Sequence, residues 1–405
     1  MSDFVHSFSL DSVLNNHLQE FPLLAEFEST VQDSRWHSEG NVKIHTDLVI
    51  QEMKKLILKN PQLSESEQKI LLWSAALHDY AKPITTHERE INGEIRVVAP
   101  KHEQIGASLL FSCKKPHELT YEEWLVIIKL VGFHQQAKLL VIRNEDYRSY
   151  IRLFREVKSL DLLYYLAMAD ILGRECEDKQ EQLDYVEFFK LNYLDYNLGG
   201  YFKDYELKQK EKVAKLIYKP SQNPEHISIR GISNIIDGNI YMIEESLSKP
   251  YAHMGYPIVD VLVGVASSGK STYTKTVPEC PVISMDNIRA RFKNIDSQDV
   301  NNEVLRIALE ELKDHLRSGN HVIWDATNYR YDFRSKVAEL AFKYKAYVRF
   351  FVFIKDKAQL HIDNKSRKKR VIPEVIENQC SKFELPIEDE AHKVNWLHNG
   401  VLIDV

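Results

Sequence analysis

The sequence predicts an α + α/β two-domain protein: an all-helical N-terminal domain, then an α/β domain with a parallel sheet covered by helices. Three observations carry that expectation. Residues 1–200 repeat apolar side chains at three- and four-residue spacing, the period of helices packed on a core. After Pro257 short apolar runs alternate with helical stretches, and this alternation calls for a parallel sheet covered on both faces. Between these regions Gly199, Gly200, Pro220, Pro224, Gly231, Gly238, Pro250 and Gly255 interrupt the pattern, so the expected division is 1–200, a connector over 201–256, and 257–405. A chain of 405 residues can build two such cores.

In the first domain helices are expected over Val42–Lys59, Glu65–His78, Glu103–Phe111, Tyr121–Phe133 and Leu160–Leu172, each with an apolar face. Asn92-Gly93, set between polar and β-branched residues in Thr85–Val98, predicts a hairpin turn there. In the second domain the strands are expected at Ile258–Val263, Pro281–Met285, His321–Trp324, Tyr347–Ile354 and Val401–Val405. Helices are expected to begin at Lys270, Asn287, Val300, Tyr331, Lys357 and Glu374.

With 44% apolar and 28% charged residues and few Gly or Pro, the chain is neither collagen-like nor wholly disordered. No apolar run approaches the ~18 residues that span a bilayer, and Met1-Ser2-Asp3-Phe4-Val5-His6 lacks the pattern of a signal peptide; no membrane partner and a cytoplasmic location are expected. Cys113, Cys176, Cys280 and Cys380 are too scattered for a disulfide framework or a thiolate zinc site, and are expected as buried thiols. The net charge of −6 is uneven, because five of the six residues Lys365-Ser366-Arg367-Lys368-Lys369-Arg370 are basic. That run is either a solvated face or an attractor of polyanions.

Gly264-Val265-Ala266-Ser267-Ser268-Gly269-Lys270-Ser271 fits GxxxxGK followed by Ser or Thr, directly after an apolar strand and at the start of a helix. Glycines let the backbone N–H groups of such a loop, here Gly264, Ser267, Ser268, Gly269 and Thr272 with their neighbours, face phosphate oxygens. Lys270 then reaches the outer phosphates of a nucleoside triphosphate and Ser271 ligates magnesium, so ATP or another NTP with Mg2+ is the expected cofactor. Asp286 ends the second strand and Arg289 lies one helical turn on, so both can face the carboxyl edge of the sheet, where open α/β folds bind ligands. Asp286 could accept a proton from an attacking hydroxyl while Arg289 holds a phosphate; the plainer alternative is an N-cap aspartate beside a surface arginine. Asp325 ends the third strand near the same edge.

Together with Asn364-Lys365-Ser366-Arg367 and Val371-Ile372-Pro373, these motifs resemble the kinase domain of the phage-type 5′-OH polynucleotide kinases over residues 257–390; Ile372 stands where that family usually has valine. The resemblance implies that Lys270 and Ser271 bind donor phosphates, Asp286 is the general base and Arg289 grips the 3′-phosphate flanking the acceptor. It further implies that Asp325 orients the site and that Arg367, in a lid helix, stabilises the transferring phosphoryl group.

In the N-terminal half, His78-Asp79 closes an apolar helix, His45 precedes it on another, and His102, His134 and Asp170 follow. Imidazole and carboxylate suit divalent transition metals. The order of these residues resembles the HD-superfamily phosphohydrolases over residues 35–175. It particularly resembles the HD modules appended to tRNA nucleotidyltransferases, through Trp36-His37-Ser38-Glu39-Gly40 and Asp79-Tyr80-Ala81-Lys82-Pro83. The resemblance implies one metal on His45, His78, Asp79 and Asp170, and a second completed by His102 and His134 with Asp79 bridging; one or two ions such as Mn, Co, Ni or Cu are expected. His37 competes with His45 as first ligand, and His45 is preferred because it shares a face with core residues of its helix. Lys82 and Arg174 are candidate phosphate grips or surface salt bridges, and His87 and His117 are expected on the surface.

The two modules in this order resemble the bacterial bifunctional end-healing enzymes called HD-Pnk. That resemblance implies NTP-dependent phosphorylation of 5′-OH ends of RNA or DNA, metal-dependent removal of 3′-phosphate, 2′-phosphate or 2′,3′-cyclic phosphate, and a separate ligase downstream. Charge and spacing alone support only a nucleotide-dependent kinase joined to a metal phosphohydrolase. Two other readings stay open: an HD nucleotidase fused to a nucleoside or sugar kinase, and a nucleotide-sensing RNA-binding regulator.

Overall fold

A computed structural model describes residues 3–217, 219, 222–292 and 298–404, leaving Pro220 and Val405 outside. The chain divides between Tyr205 and Glu206 into two compact units.

The first unit is helical apart from one hairpin. Its helices include Val42–Lys59, Glu65–Leu77, His102–Leu110, Tyr121–Phe133 and Leu160–Leu172, within a residue of expectation at each end. Local chemistry sets several starts. Ser64 and Glu67, and likewise Thr120 and Glu123, form reciprocal caps that satisfy the free N–H groups of a first turn. Trp73, Trp124, Tyr150, Phe154, Phe21 and Phe27 fill the core. The unit also contains the helices Asp3–Ser7, Leu10–His17, Lys82–Thr85, Gln136–Ile142, Tyr147–Val157 and Lys179–Asp195. Strands His87–Ile91 (β1) and Glu94–Val98 (β2) pair antiparallel around Asn92 and Gly93, whose φ values of 55° and 84° suit the tight turn that this dipeptide favours.

Small residues bring the helices close. A Cβ on Gly173 would sit 2.9 Å from the backbone N of Val49, and one on Gly132 would sit 3.1 Å from Ala107 Cβ. The first approach joins Leu160–Leu172 to Val42–Lys59, and the second joins Tyr121–Phe133 to His102–Leu110.

The second unit is built on six strands: Ile258–Val263 (β3), Val282–Ser284 (β4), His321–Asp325 (β5), Tyr347–Phe353 (β6), Lys393–His398 (β7) and Val401–Ile403 (β8). Their order is β4-β5-β3-β6-β7-β8, parallel except that β8 runs antiparallel to β7. Two points differ from expectation. Strand β7 was not expected, because Lys393-Val394-Asn395-Trp396-Leu397-His398 mixes polar residues into its apolar run; the Asn399-Gly400 turn then folds the last strand back beside it. Residues 201–256 also hold the helices Phe202–Leu216 and Pro224–Ile236. Pro224 starts the latter at a position where its missing N–H costs nothing, with Asn223 as the cap. Arg230 anchors this helix to the carbonyls of Lys345 and Ala346 at 2.9 Å each, so much of the expected connector is folded into the second unit. Among the described residues no single helix is long and apolar enough to cross a membrane.

Candidate active sites

In the first unit the helix contacts above converge on Asp79. His45 lies four residues before Val49, and Asp170 three before Gly173, so the approach permitted by that glycine brings His45 Nε2 to 3.1 Å from Asp170 Oδ1. His78 Nε2 lies 3.3 Å from His45 Nε2 and 3.2 Å from Asp79 Oδ2. On the other side His102 Nε2 is 3.3 Å from Asp79 Oδ1, with the His134 ring 5.3 Å from that of His102. The potential ligand atoms of His45, His78 and Asp79 all fall within 4.8 Å of one another, as do those of Asp79, His102 and His134. Asp79 is common to both groups.

The histidines are oriented from behind. Nδ1 of His78, His102 and His134 donates to the carbonyls of Ala75, Ala99 and Val131 at 2.8–2.9 Å, which points each Nε2 inward. For His45 the outer partner is a carboxylate, Glu39 Oε1, 3.0 Å from Nδ1. Glu39 also lies 2.8 Å from His37 Nδ1, so His37 sits behind His45 rather than beside Asp79. The sequence reading gave Glu39 no role; its place two residues after His37 was the available signal.

The buried charges are balanced within the cluster. Burial opposes ionisation of Asp79 and Asp170, yet His78 and Lys82 hold the first well below the usual carboxylate range, and Arg174 and His45 hold the second there. Burial, then the charges of His102 and His78, push His134 well below the usual imidazole range and leave it neutral. His134 Nε2 is buried without a hydrogen-bond partner among the described residues. An inward lone pair with no proton donor, facing a carboxylate shared by three other imidazoles, fits a divalent transition metal. Lys82 lies 2.7 Å from Asp79 Oδ2, and Arg174 donates through Nε and Nη2 to Asp170, so both expected phosphate grips are here tied to acidic residues of the centre. His87 and His117 are exposed.

In the second unit three parallel strands deliver the other cluster to one sheet edge. Gly264 follows β3, Asp286 follows β4, and Asp325 ends β5 opposite Ser284. Ser267 and Gly269 adopt positive φ, 69° and 109°, and curl the loop around the start of the helix at Lys270. A Cβ on Gly264 would meet Ser268 Oγ at 2.6 Å and the Cβ atoms of Ser268 and Phe353 at 3.3 Å, so glycine lets the loop close here without displacing these side chains. Lys270 Nζ donates to the carbonyls of Gly264 and Val265 at 2.7 and 2.8 Å. Burial pushes its pKa down to about 8, and it feels the charges of Asp325, Arg367 and Asp286. Burial also raises Asp325. Ser271 and Thr272 follow Lys270 in the same short helix.

Asp286 is open to solvent, its side chain 87% exposed, and Arg289 donates to it at 2.8 Å. Arg367 caps the end of helix Lys357–Ser366 and reaches Ser267 Oγ at 3.3 Å. Two residues outside the expected set fix this side of the loop. Gln379, on helix Pro373–Ser381, accepts from the Ala266 N–H at 2.7 Å, and Asn364 closes the basic loop through Val371 N and O. Asn364 stood within the motif read above, whereas no local pattern marks Gln379.

Two family models match the chain: one described as HD domain covers residues 43–172, and one described as AAA domain covers residues 259–386. No curated protein matches. The matched segments enclose the two clusters, each with the phosphate or metal chemistry its geometry fits. The chain therefore joins an HD domain of the metal-dependent phosphohydrolase kind to a P-loop kinase-like domain.

Proposed function

We propose that the chain is a bifunctional nucleic-acid end-healing enzyme. Its kinase-like unit phosphorylates 5′-OH ends with an NTP, and its HD unit removes 3′-phosphate, 2′-phosphate or 2′,3′-cyclic phosphate. The observation that carries the polynucleotide part is the exposure of Asp286 beside the P-loop: a base open to solvent suits the end of a long acceptor, whereas a small metabolite is usually enclosed. The exposed basic loop 367–370 supports the same reading by offering charge to a polyanion.

In the kinase site Lys270 exchanges its loop carbonyls for the outer phosphates of the donor, while Ser271 holds Mg2+. Asp286 takes the proton of the attacking hydroxyl, and Arg289 orients Asp286 and grips the adjoining phosphate. Arg367 stabilises charge on the phosphoryl group in flight, and Asp325 supports the edge through Ser284. In the HD site His45, His78, Asp79 and Asp170 would hold one divalent ion, and His102 and His134 would complete a second place together with Asp79. Bound there, these ions would supply Lewis acidity toward phosphate and water. Glu39 fixes His45, and Lys82 and Arg174 steady the two carboxylates.

The test is incubation with an oligonucleotide bearing 5′-OH and 3′-phosphate, an NTP and a divalent metal, followed by analysis of both ends. Conversion of both ends, with mononucleotides competing poorly, is expected. Preference for mononucleotides at either site would overturn the polynucleotide reading.

A further inference from the structure

Among the described residues around the HD centre, two cations are paired with its carboxylates and Lys138 is not. Lys82 pairs with Asp79 and Arg174 with Asp170. Lys138 lies near Arg174, Asp170, Asp178 and Glu103, yet makes no hydrogen bond or ion pair among the described residues. Its position follows from the chain. Gln135 reaches Asp170 Oδ2 at 3.4 Å, and the turn continues helically, Leu139 N donating to Gln135 O, so Lys138 shares the face of Gln135 and lies one turn beyond His134.

An ammonium group held partly buried, on the face from which Gln135 reaches Asp170 and without a carboxylate partner among the described residues, is an unfavourable arrangement. Burial first, and then the like charge of Arg174, push its pKa down to about 8. The acidic residues nearby do not come close enough to pair with it. Divalent ions bound at Asp79 and Asp170 would add further positive charge. What relieves such a surplus is an anion carrying more than one negative charge and several acceptor oxygens, which describes a phosphate monoester.

We propose that Lys138 is a substrate-binding residue of the HD site, gripping the phosphate group that enters between it and Arg174. This rests on reading the HD centre as a phosphohydrolase, and it gives that centre a phosphate contact not committed to an acidic residue. Lys138 acts on binding and takes no part in proton transfer.

The test uses the full chain loaded with Mn2+, comparing wild type with Lys138→Met and Lys138→Arg. Hydrolysis of a 3′-phosphorylated oligonucleotide gives kcat and KM, inorganic phosphate as inhibitor gives a binding constant, and metal content is measured on the same samples. For Lys138→Met, KM and the phosphate inhibition constant should each rise about tenfold or more, as expected for loss of a hydrogen bond between charged groups. Metal content and kcat should hold, and Lys138→Arg should recover most of the affinity. An unchanged inhibition constant in Lys138→Met overturns the proposal, as does loss of metal in that variant, which would make the residue structural. If wild type hydrolyses no phosphate monoester and is indifferent to inorganic phosphate, the phosphohydrolase reading falls and this proposal with it. If wild type does both and Lys138→Met equals it, only the proposal falls.

Discussion

Asp79 stands in both ligand groups, so the number of ions held by the HD centre can be read from single substitutions. Asp79→Ala should leave the chain without bound divalent metal, whereas His134→Ala should lose one ion and keep the other on His45, His78, Asp79 and Asp170. Metal analysis of the purified variants decides this, and one ion per wild-type chain, unchanged in His134→Ala, would exclude the dinuclear arrangement. Lys270 offers a second test at this scale. Burial lowers its pKa to about 8 in the free protein, and a triphosphate beside it raises that value, so NTP binding takes up a proton above pH 8. Affinity should hold from pH 7 to 8 and then weaken by about tenfold per unit as the lysine deprotonates. Lys270→Arg should flatten the curve, because guanidinium stays charged. A dissociation constant independent of pH between 7 and 9.5 in wild type would contradict this account.

At the scale of elements, the HD centre depends on how closely two helices approach at Gly173 and Val49. An alanine there meets backbone as well as side chain, and backbone cannot step aside without moving its helix. Gly173→Ala should therefore destabilise the first unit by about 2 kcal/mol, measured by denaturant unfolding, and weaken metal binding by parting His45 from Asp170. Most helices were legible in the sequence because a face packed on a core repeats every three to four residues, and His78-Asp79 stood out at the end of such a helix. Strand β7 was not legible, since Asn395 and the flanking Lys393 and His398 break its apolar run. The second unit's early helix at Pro224 was obscured because proline reads as a break from one side and as a first-turn residue from the other. Among site residues, Gln379 acts through a partner far away in the chain, Ala266, and no local pattern encodes such a pair, whereas Glu39 stood two residues after His37 and its support of His45 needed the fold to be seen. Lys82 and Arg174 were found by type, but their pairing with Asp79 and Asp170 needed the fold.

For the whole molecule, the two clusters belong to different compact units and to separate matched segments. Lys270→Ala should lower 5′ phosphorylation at least about 100-fold, roughly 2.7 kcal/mol of transition-state stabilisation, and leave removal of 3′-phosphate intact. Asp79→Ala should do the reverse. Loss of both activities in a folded single variant would mean that the units depend on each other. The outer supports of the HD histidines bear on a different question, how such a chain can drift over generations. His78, His102 and His134 are oriented by main-chain carbonyls, which every amino acid at positions 75, 99 and 131 supplies. Those positions can change identity freely wherever the new side chain packs. His45 has no such insurance, because its support is the side chain of Glu39, and a single codon change there leaves its ring without that partner.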